Sequence, residues 1–454
     1  MTSISEDEAL LRNTAERALS YLESLPSRRV APAAEDLQNL DRLPQRLPEG
    51  PTPADRVIEL LDRYGSPATV ASNGGRYFGF VFGSSLPAAL AADWLTSAWN
   101  QNGGMEVFSP VSTRLEAISV GWVREVLGLP QESDGAFVSG ATMANFAGLA
   151  AARHAVLQRA GWNVETDGLN GAPKVTVVVG DEVHASALKA LMMLGFGTGR
   201  LVRLPVDDQG RIVPESLPSL SGPAIVCLQA GNVNSGSFDP FPELIDWARE
   251  AKAWVHIDGA FGLWAAASPK YRHLTEGIGG ADSWSLDAHK WLNVPYDSGI
   301  ALVRDLAQLR AAMTGPYAPY LGAEHPRDRF DCAPEMSRRA RGVDAWAALM
   351  SLGKSGLAEM IERCCRHASR FATLLSEGGC EILNDVVLNQ VLVSFGDDEK
   401  TKRVIAAIQS DGTCWCGPTR WRGRAAMRIS VSSGKTTDED VERSVRAMLR
   451  LAKD

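Results

Sequence analysis

The chain has 454 residues, 45% of them hydrophobic and 22% charged, and a formal net charge of −8. That length implies about two or three domain-sized units and a core that needs no disulfide or metal staple. The acidic balance disfavours nucleic acid and anionic membrane as partners, and no apolar run approaches the roughly 18 residues of a membrane helix.

Residues 1–8 are acidic and polar, unlike a signal peptide. Residues 1–75 predict a helix, a connector holding Pro26, Pro32, Pro44, Pro48, Pro51 and Pro53, and a second helix. Such an arm has little core of its own and must pack on something else, a partner subunit or its own chain. Leu115, Ile118, Trp122 and Val126 then recur at helical spacing up to Gly128. Met143, Phe146, Ala147, Ala150, His154 and Leu157 do the same up to Gly161. Short β-rich runs follow at 175–179, 201–204, 224–228, 254–257, 283–286 and 299–303, with helical stretches such as 242–252 between them. This alternation implies an α/β unit whose mostly parallel sheet is flanked by helices.

Residues 314–334 are loop-like, with Gly315, Pro316, Pro319, Gly322, Pro326 and Pro334. Beyond them come helical segments, β-like runs at 391–395 and 427–431, and a last helix. Thr436-x-x-Glu439 predicts its capping box, and Val441, Val445, Met448 and Leu449 its apolar face. The expected division is an arm at 1–75, a large domain at 76–320 and a smaller α+β domain at 321–454. The seven cysteines form no CxxC pair or zinc spacing and read as reduced thiols of a cytoplasmic protein. Gly195-x-Gly197-x-Gly199 lacks the dinucleotide spacing, and Gly353-Lys354-Ser355 lacks the first glycine of a P-loop.

The chemistry concentrates at the carboxyl ends of the predicted strands, where α/β sheets bind ligands. Asp258 closes the run Trp254-Val255-His256-Ile257. Lys290 lies just beyond the run at 283–286, beside His289. His184 follows the run at 175–179. Ser139-Gly140-Ala141-Thr142 precedes a helix and offers free N–H groups and a hydroxyl to a phosphate. A lysine for a Schiff base, an acid for a pyridine nitrogen, a flat ring to stack and a phosphate cradle together describe a pyridoxal phosphate site.

On these residues the chain, from about residue 76 to the C-terminus, resembles the group II pyridoxal-phosphate-dependent decarboxylases, the family of aromatic amino acid and glutamate decarboxylases. The motifs are Asp287-Ala288-His289-Lys290-Trp291, His256-Ile257-Asp258-Gly259-Ala260, Ser139-Gly140-Ala141-Thr142-Met143-Ala144-Asn145, Asp181-Glu182-Val183-His184-Ala185-Ser186, Gly231-Asn232-Val233-Asn234 and Ser337-Arg338-Arg339-Ala340-Arg341. The resemblance implies a type I aminotransferase-like fold, pyridoxal 5'-phosphate as cofactor, an amino acid substrate and a homodimer with shared active sites.

Carried over by position, Lys290 is the Schiff-base lysine and Asp258 the partner of the pyridine nitrogen. His184 stacks on one face of the ring and Ala260 packs on the other. Ala141, Thr142 and His289 hold the phosphate, and Ser337 reaches it from the second subunit. Asn232 sits beside the ring. Tyr320, with Tyr317 as second choice, matches the loop tyrosine that is catalytic in the family; the loop between Tyr320 and Ser337 is shorter here than in animal aromatic decarboxylases. Asp287 stands where the family has Asn, a phosphate contact. A carboxylate there repels a phosphate unless it turns away or a neighbour offsets it. The run Tyr77-Phe78-Gly79-Phe80-Val81-Phe82-Gly83 aligns with the substrate-pocket segment and favours an apolar or aromatic side chain. Decarboxylation to the amine is the expected reaction. An aldehyde synthase or carbon–carbon lyase activity is the alternative.

Overall fold

The computed structural model describes residues 4–315 and 328–453. Tyr317, Tyr320 and the expected domain boundary at 320/321 lie outside the described residues.

Seven strands form the central sheet: β1 (Asp134–Val138), β2 (Thr176–Gly180), β3 (Val202–Leu204), β4 (Ala224–Gln229), β5 (Trp254–Asp258), β6 (Ser283–Asp287) and β7 (Gly299–Val303). Their spatial order is β1-β7-β6-β5-β4-β2-β3. Only β7 runs against its neighbours; the pairs from β6 across to β3 are parallel. The mostly parallel sheet expected from the sequence is therefore present. Its central strands are covered on both faces, which is why β4 and β7 read as continuous apolar runs; β5 and β6 are buried too but carry His256, Ser283 and Ser285 within. The helix Ala141–Arg159 packs across β5, β6 and β7. Its many small residues let it lie close to the sheet.

The helix Pro110–Leu127 ends where predicted, at Gly128 in the left-handed region with φ 65°. Its apolar stripe Leu115, Ile118, Trp122, Val126 is only half-buried, however. Trp122 stacks on Trp346, while the deepest face carries Ser112, Thr113, Glu116 and Ser119. Those polar groups are satisfied inside: Glu116 pairs with the buried Arg338 and accepts the N–H of Phe137.

A second, antiparallel sheet has the order β10-β11-β9-β8, from β8 (Glu381–Ile382), β9 (Gln390–Ser394), β10 (Gly417–Trp421) and β11 (Arg424–Ser430). The helices Arg341–Glu377, Asp398–Asp411 and Asp438–Leu451 pack around it. Gly353, at φ 59°, kinks the long first helix and has no phosphate-loop setting. The last helix is capped one residue later than predicted: Thr437 is the N-cap and Asp440 completes the box. Both Thr-x-x-acid pairs exist in the sequence, and one residue of register decides between them.

The N-terminal segment forms the helices Ile4–Ser24, Ala34–Asn39 and Ala54–Leu60. It is tied down at few points. The Val30 N–H donates to Gly412 O at 2.8 Å. Arg76 clasps the carbonyls of Pro26 and Arg28. Leu11, Leu19, Leu37, Leu47 and Leu61 stay exposed.

Candidate functional site

Parallel pairing sets Asp258 beside Gln229 on one side and Ser285 on the other, so β4 and β5 end at one level and β6 runs two residues further. Asp258 and Asp287 are the last residues of their strands. Ala260 joins them: its N–H donates to Asp258 Oδ1 at 3.2 Å, and its carbonyl accepts the N–H of Asp287 at 2.9 Å.

After β6 the chain turns through a buried loop that carries His289 and Lys290. Asn293, left-handed at φ 57°, holds that loop. Its Oδ1 accepts from the N–H and hydroxyl of Ser84 and from the N–H of Gly434. Its Nδ2 donates to the carbonyls of Trp291 and Ser432. The segment around Gly83 crosses directly over Lys290, and a Cβ at Gly83 would overlap the lysine carbonyl.

Lys290 Nζ lies 3.0 Å from Asp287 Oδ2. The carboxylate that departs from the family pattern has thus not turned away; the lysine offsets it, and His289 Nε2 stands 3.6 Å from the same oxygen. His289 Nδ1 accepts the N–H of Ser298, so the neutral ring carries its proton on Nε2, toward Asp287. Burial holds the His289 pKa below its ordinary value. Tyr296 stacks on this ring at 4.1 Å between centroids.

The head of the helix Ala141–Arg159 meets the same place. Helix geometry leaves the N–H groups of Ala141 and Thr142 without intrahelical acceptors. A Cβ at Gly140 would stand 3.1 Å from His289 Cε1 and 3.5 Å from Asp287 Oδ1. Asp287 Oδ1 is itself buried without a hydrogen-bond partner among the described residues. A glycine-lined cradle with free N–H groups, a histidine and a lysine fits the phosphate end of pyridoxal phosphate.

His184 caps the helix Ala185–Met193 by accepting the N–H of Ser186 at Nδ1. Burial is the main cause that lowers its pKa, and the charges of Lys290 and Arg428 act in the same direction. Ser186 Oγ touches both His184 Nδ1, at 2.7 Å, and Asp258 Oδ2, at 3.5 Å. The structure therefore gathers Lys290, His289, Asp258, Ala260, His184, Ala141 and Thr142. Ser337 stands apart on the surface. Asn232 turns into its own loop, where Oδ1 accepts the N–H groups of Asn234 and Ser235. The basic run after Ser337 is spent in ion pairs: Arg338 with Glu116, Arg339 with Asp93 and Arg341 with Asp297.

Four residues of the site, Arg428, Asn145, Tyr296 and Trp415, have no role in the sequence reading. Arg428 on β11 is half-buried, donates to the Val233 carbonyl and forms no ion pair among the described residues. Burial lowers its pKa. A charge within the otherwise apolar run 425–429 was the available signal. Asn145 donates to Asp258 Oδ2 at 2.9 Å. It stood inside a quoted motif without a role. Tyr296 closes an aromatic file: it packs on Phe82, Phe82 on Tyr77, and Tyr77 on Trp415, which also stacks on Phe80.

Comparison with known proteins agrees with the fold and points to one family. The model of the pyridoxal-dependent decarboxylase conserved domain matches residues 37–396. An aromatic-L-amino-acid decarboxylase of Bacillus atrophaeus is 25% identical, over 96% of this chain and 93% of the relative. A phenylacetaldehyde synthase of Arabidopsis thaliana is 26% identical, over 88% and 86%. The crystal structure of Oryza sativa TDC with PLP and tryptamine superposes with a TM-score of 0.88 at 24% identity, covering 99% of this chain and 98% of that one.

Proposed function

The chain belongs to the pyridoxal-dependent decarboxylase family, and from that premise we propose that it converts an L-amino acid with an apolar or aromatic side chain to its amine and CO2. The observation that carries this reading is the convergence of Lys290, Asp258 and His184 at the carboxyl ends of β6, β5 and β2 along one edge of the sheet. Bound there, pyridoxal phosphate supplies the electron sink for the pair left behind as CO2 departs.

In this reading Lys290 is the attachment point. Asp258 faces the ring nitrogen, where an opposite charge favours the protonated form. His184 and Ala260 pack on the two faces of the ring. Ala141, Thr142 and His289 hold the phosphate, with Asn232 at the rim and Ser337 supplied by a second subunit. Arg428, without an ion pair among the described residues, takes the substrate carboxylate. The rings of Tyr77, Phe80, Phe82, Tyr296 and Trp415 form an uncharged wall, which supports an aromatic or apolar side chain over an acidic one. Tyr320, or else Tyr317, delivers the proton to Cα.

The assembly in this reading is a two-fold dimer. The N-terminal arm and the segment carrying Trp94, Leu95, Trp99 and Phe108 expose large apolar side chains that a partner covers. Among the described residues no helix is long and apolar enough to cross a membrane. All seven cysteines are free, which supports a cytoplasmic setting.

The second reading, aldehyde formation, is favoured by the similarity to a phenylacetaldehyde synthase. Carbon–carbon lysis is a third. Incubation of the holoenzyme with each of the twenty common amino acids, reading CO2, amine, ammonia and aldehyde, decides among them. Amine and CO2 in equal amounts from an aromatic amino acid support the proposal. Aldehyde and ammonia, or no CO2 from any of them, overturn it.

A further inference from the structure

Beneath Asp258 runs a file of polar side chains with no access to solvent. Asn145, His256, Ser283 and Ser285 are each 0% exposed. Trp254 Nε1 donates to Ser283 Oγ at 2.8 Å, and Ser283 Oγ lies 2.8 Å from His256 Nδ1. His256 Nε2 lies 2.8 Å from Asn145 Oδ1, which also accepts the hydroxyl of Ser285 at 2.6 Å. Asn145 Nδ2 closes the file on Asp258 Oδ2 at 2.9 Å.

The chemistry of the end groups fixes the direction of every bond. An ionised Asp258 only accepts, so Asn145 must present its amide hydrogens to it and its oxygen to His256. His256 must then donate from Nε2, which leaves Nδ1 to accept from Ser283. Ser283 has its own oxygen free for Trp254, a donor only. Burial drives the His256 pKa down to about 4, so the neutral ring that this pattern needs is the stable form. The fold makes room for the ring: a Cβ at Gly148 would stand 2.9 Å from His256 Cε1. Five side chains thus point their donors one way, toward Asp258.

We propose that Asn145, oriented by His256, is a positioning residue that keeps Asp258 ionised and aimed, and so places the shared proton on the cofactor's ring nitrogen. A donor to a carboxylate stabilises its charged form. Between a carboxylate and a pyridine nitrogen, that moves the proton to the nitrogen. Asp258 Oδ1, which among the described residues accepts only the Ala260 N–H, is left for the ring. The inference rests on the assignment of Asp258 as the ring-nitrogen partner.

The test is made on protein loaded with pyridoxal phosphate labelled with 15N in the ring, whose chemical shift reports protonation of that nitrogen. In the wild type the signal sits at the protonated position. Asp258→Asn moves it to the neutral position; a signal that stays put overturns the Asp258 assignment itself. Asn145→Ala, folded by circular dichroism, moves the signal the same way and weakens cofactor affinity about 10- to 100-fold, the effect of one hydrogen bond to a charged group. Neutralisation by Asp258→Asn but not by Asn145→Ala overturns the positioning role and leaves the Asp258 assignment standing. A measurement on wild-type protein covers failure of Asn145→Ala to fold: in histidine-labelled protein, His256 stays the neutral Nε2–H tautomer from about pH 5 to pH 9. An Nδ1–H tautomer or an imidazolium in that range reverses the file and overturns the proposal.

Discussion

The ammonium of Lys290 and the carboxylate of Asp287 are ion-paired at 3.0 Å, three residues apart in a loop that begins at the end of β6. The lysine assigned to the cofactor is therefore already engaged, and the same carboxylate faces the phosphate cradle through its Oδ1, which has no hydrogen-bond partner among the described residues. Asp287→Asn removes a charge that opposes the phosphate. At the effective dielectric of a partly solvated site this is worth roughly 1 kcal/mol, so the Kd for pyridoxal phosphate falls about three- to tenfold. Absorbance titration of cofactor-free protein measures it, and a weaker Kd contradicts the repulsion argument. Borohydride reduction of the loaded protein followed by peptide mapping places the label on Lys290; a label on another lysine ends the assignment.

Arg428 gives a second prediction. A half-buried guanidinium with no ion pair among the described residues gains most from a carboxylate that arrives with the substrate. Arg428→Met raises KM about tenfold or more and changes kcat less, the pattern of lost ground-state binding. Steady-state kinetics with the preferred amino acid read this split. An unchanged KM removes Arg428 from the substrate site.

What the sequence revealed and what it hid follow from the range of the interactions. Asp258 and Lys290 were legible because each sits where an apolar run stops, and the stop of a buried strand is a local signal. The strands were legible for the same reason, except β1, β8 and β10: β8 is two residues long, and β1 and β10 contain Gly135 and Pro418 and lack a long β-branched run. Arg428 and Tyr296 were not legible as site residues. Their roles depend on how the small sheet and the loop after Lys290 approach the large sheet, and no spacing in the chain encodes that. Asn145 was hidden differently: its partners Asp258 and His256 lie more than a hundred residues away in sequence.

The pH profile tests His184. Burial disfavours the imidazolium, so the ring takes up its proton only below its ordinary value of 6.5. Above that pH it is a neutral flat ring able to stack. The limb of kcat that falls with decreasing pH and belongs to His184 therefore lies below pH 6.5 and is missing in His184→Phe. A histidine-dependent limb at higher pH contradicts the environment described for this residue.

Subunit sharing is testable by complementation. Light scattering of the full chain gives a dimer. Ser337→Glu sets a carboxylate against the phosphate of the neighbouring site, and Lys290→Ala removes the attachment point of its own. Each variant is inactive alone. Refolded together in equal amounts, they regain about a quarter of wild-type activity, because half the dimers are mixed and each mixed dimer has one intact site. No recovery, or a fully active monomer, contradicts the shared site.

The last prediction concerns the identity of the product. Once CO2 has left, Cα needs a proton. A phenol on a closing loop delivers it and excludes water and oxygen. Without that donor, dioxygen takes up the electrons, and hydrolysis yields aldehyde and ammonia with hydrogen peroxide. Tyr320 lies outside the described residues, so its assignment rests on the family pattern, with Tyr317 next in line. In oxygenated buffer Tyr320→Phe loses amine formation, keeps CO2 release at a reduced rate, and gains aldehyde, ammonia and peroxide. Loss of the amine in Tyr317→Phe instead shifts the donor to that residue. An amine yield unchanged in both variants moves the proton source off the loop, with His184 the next group to test. Aldehyde from the wild type itself replaces the decarboxylase reading with that of an aldehyde synthase.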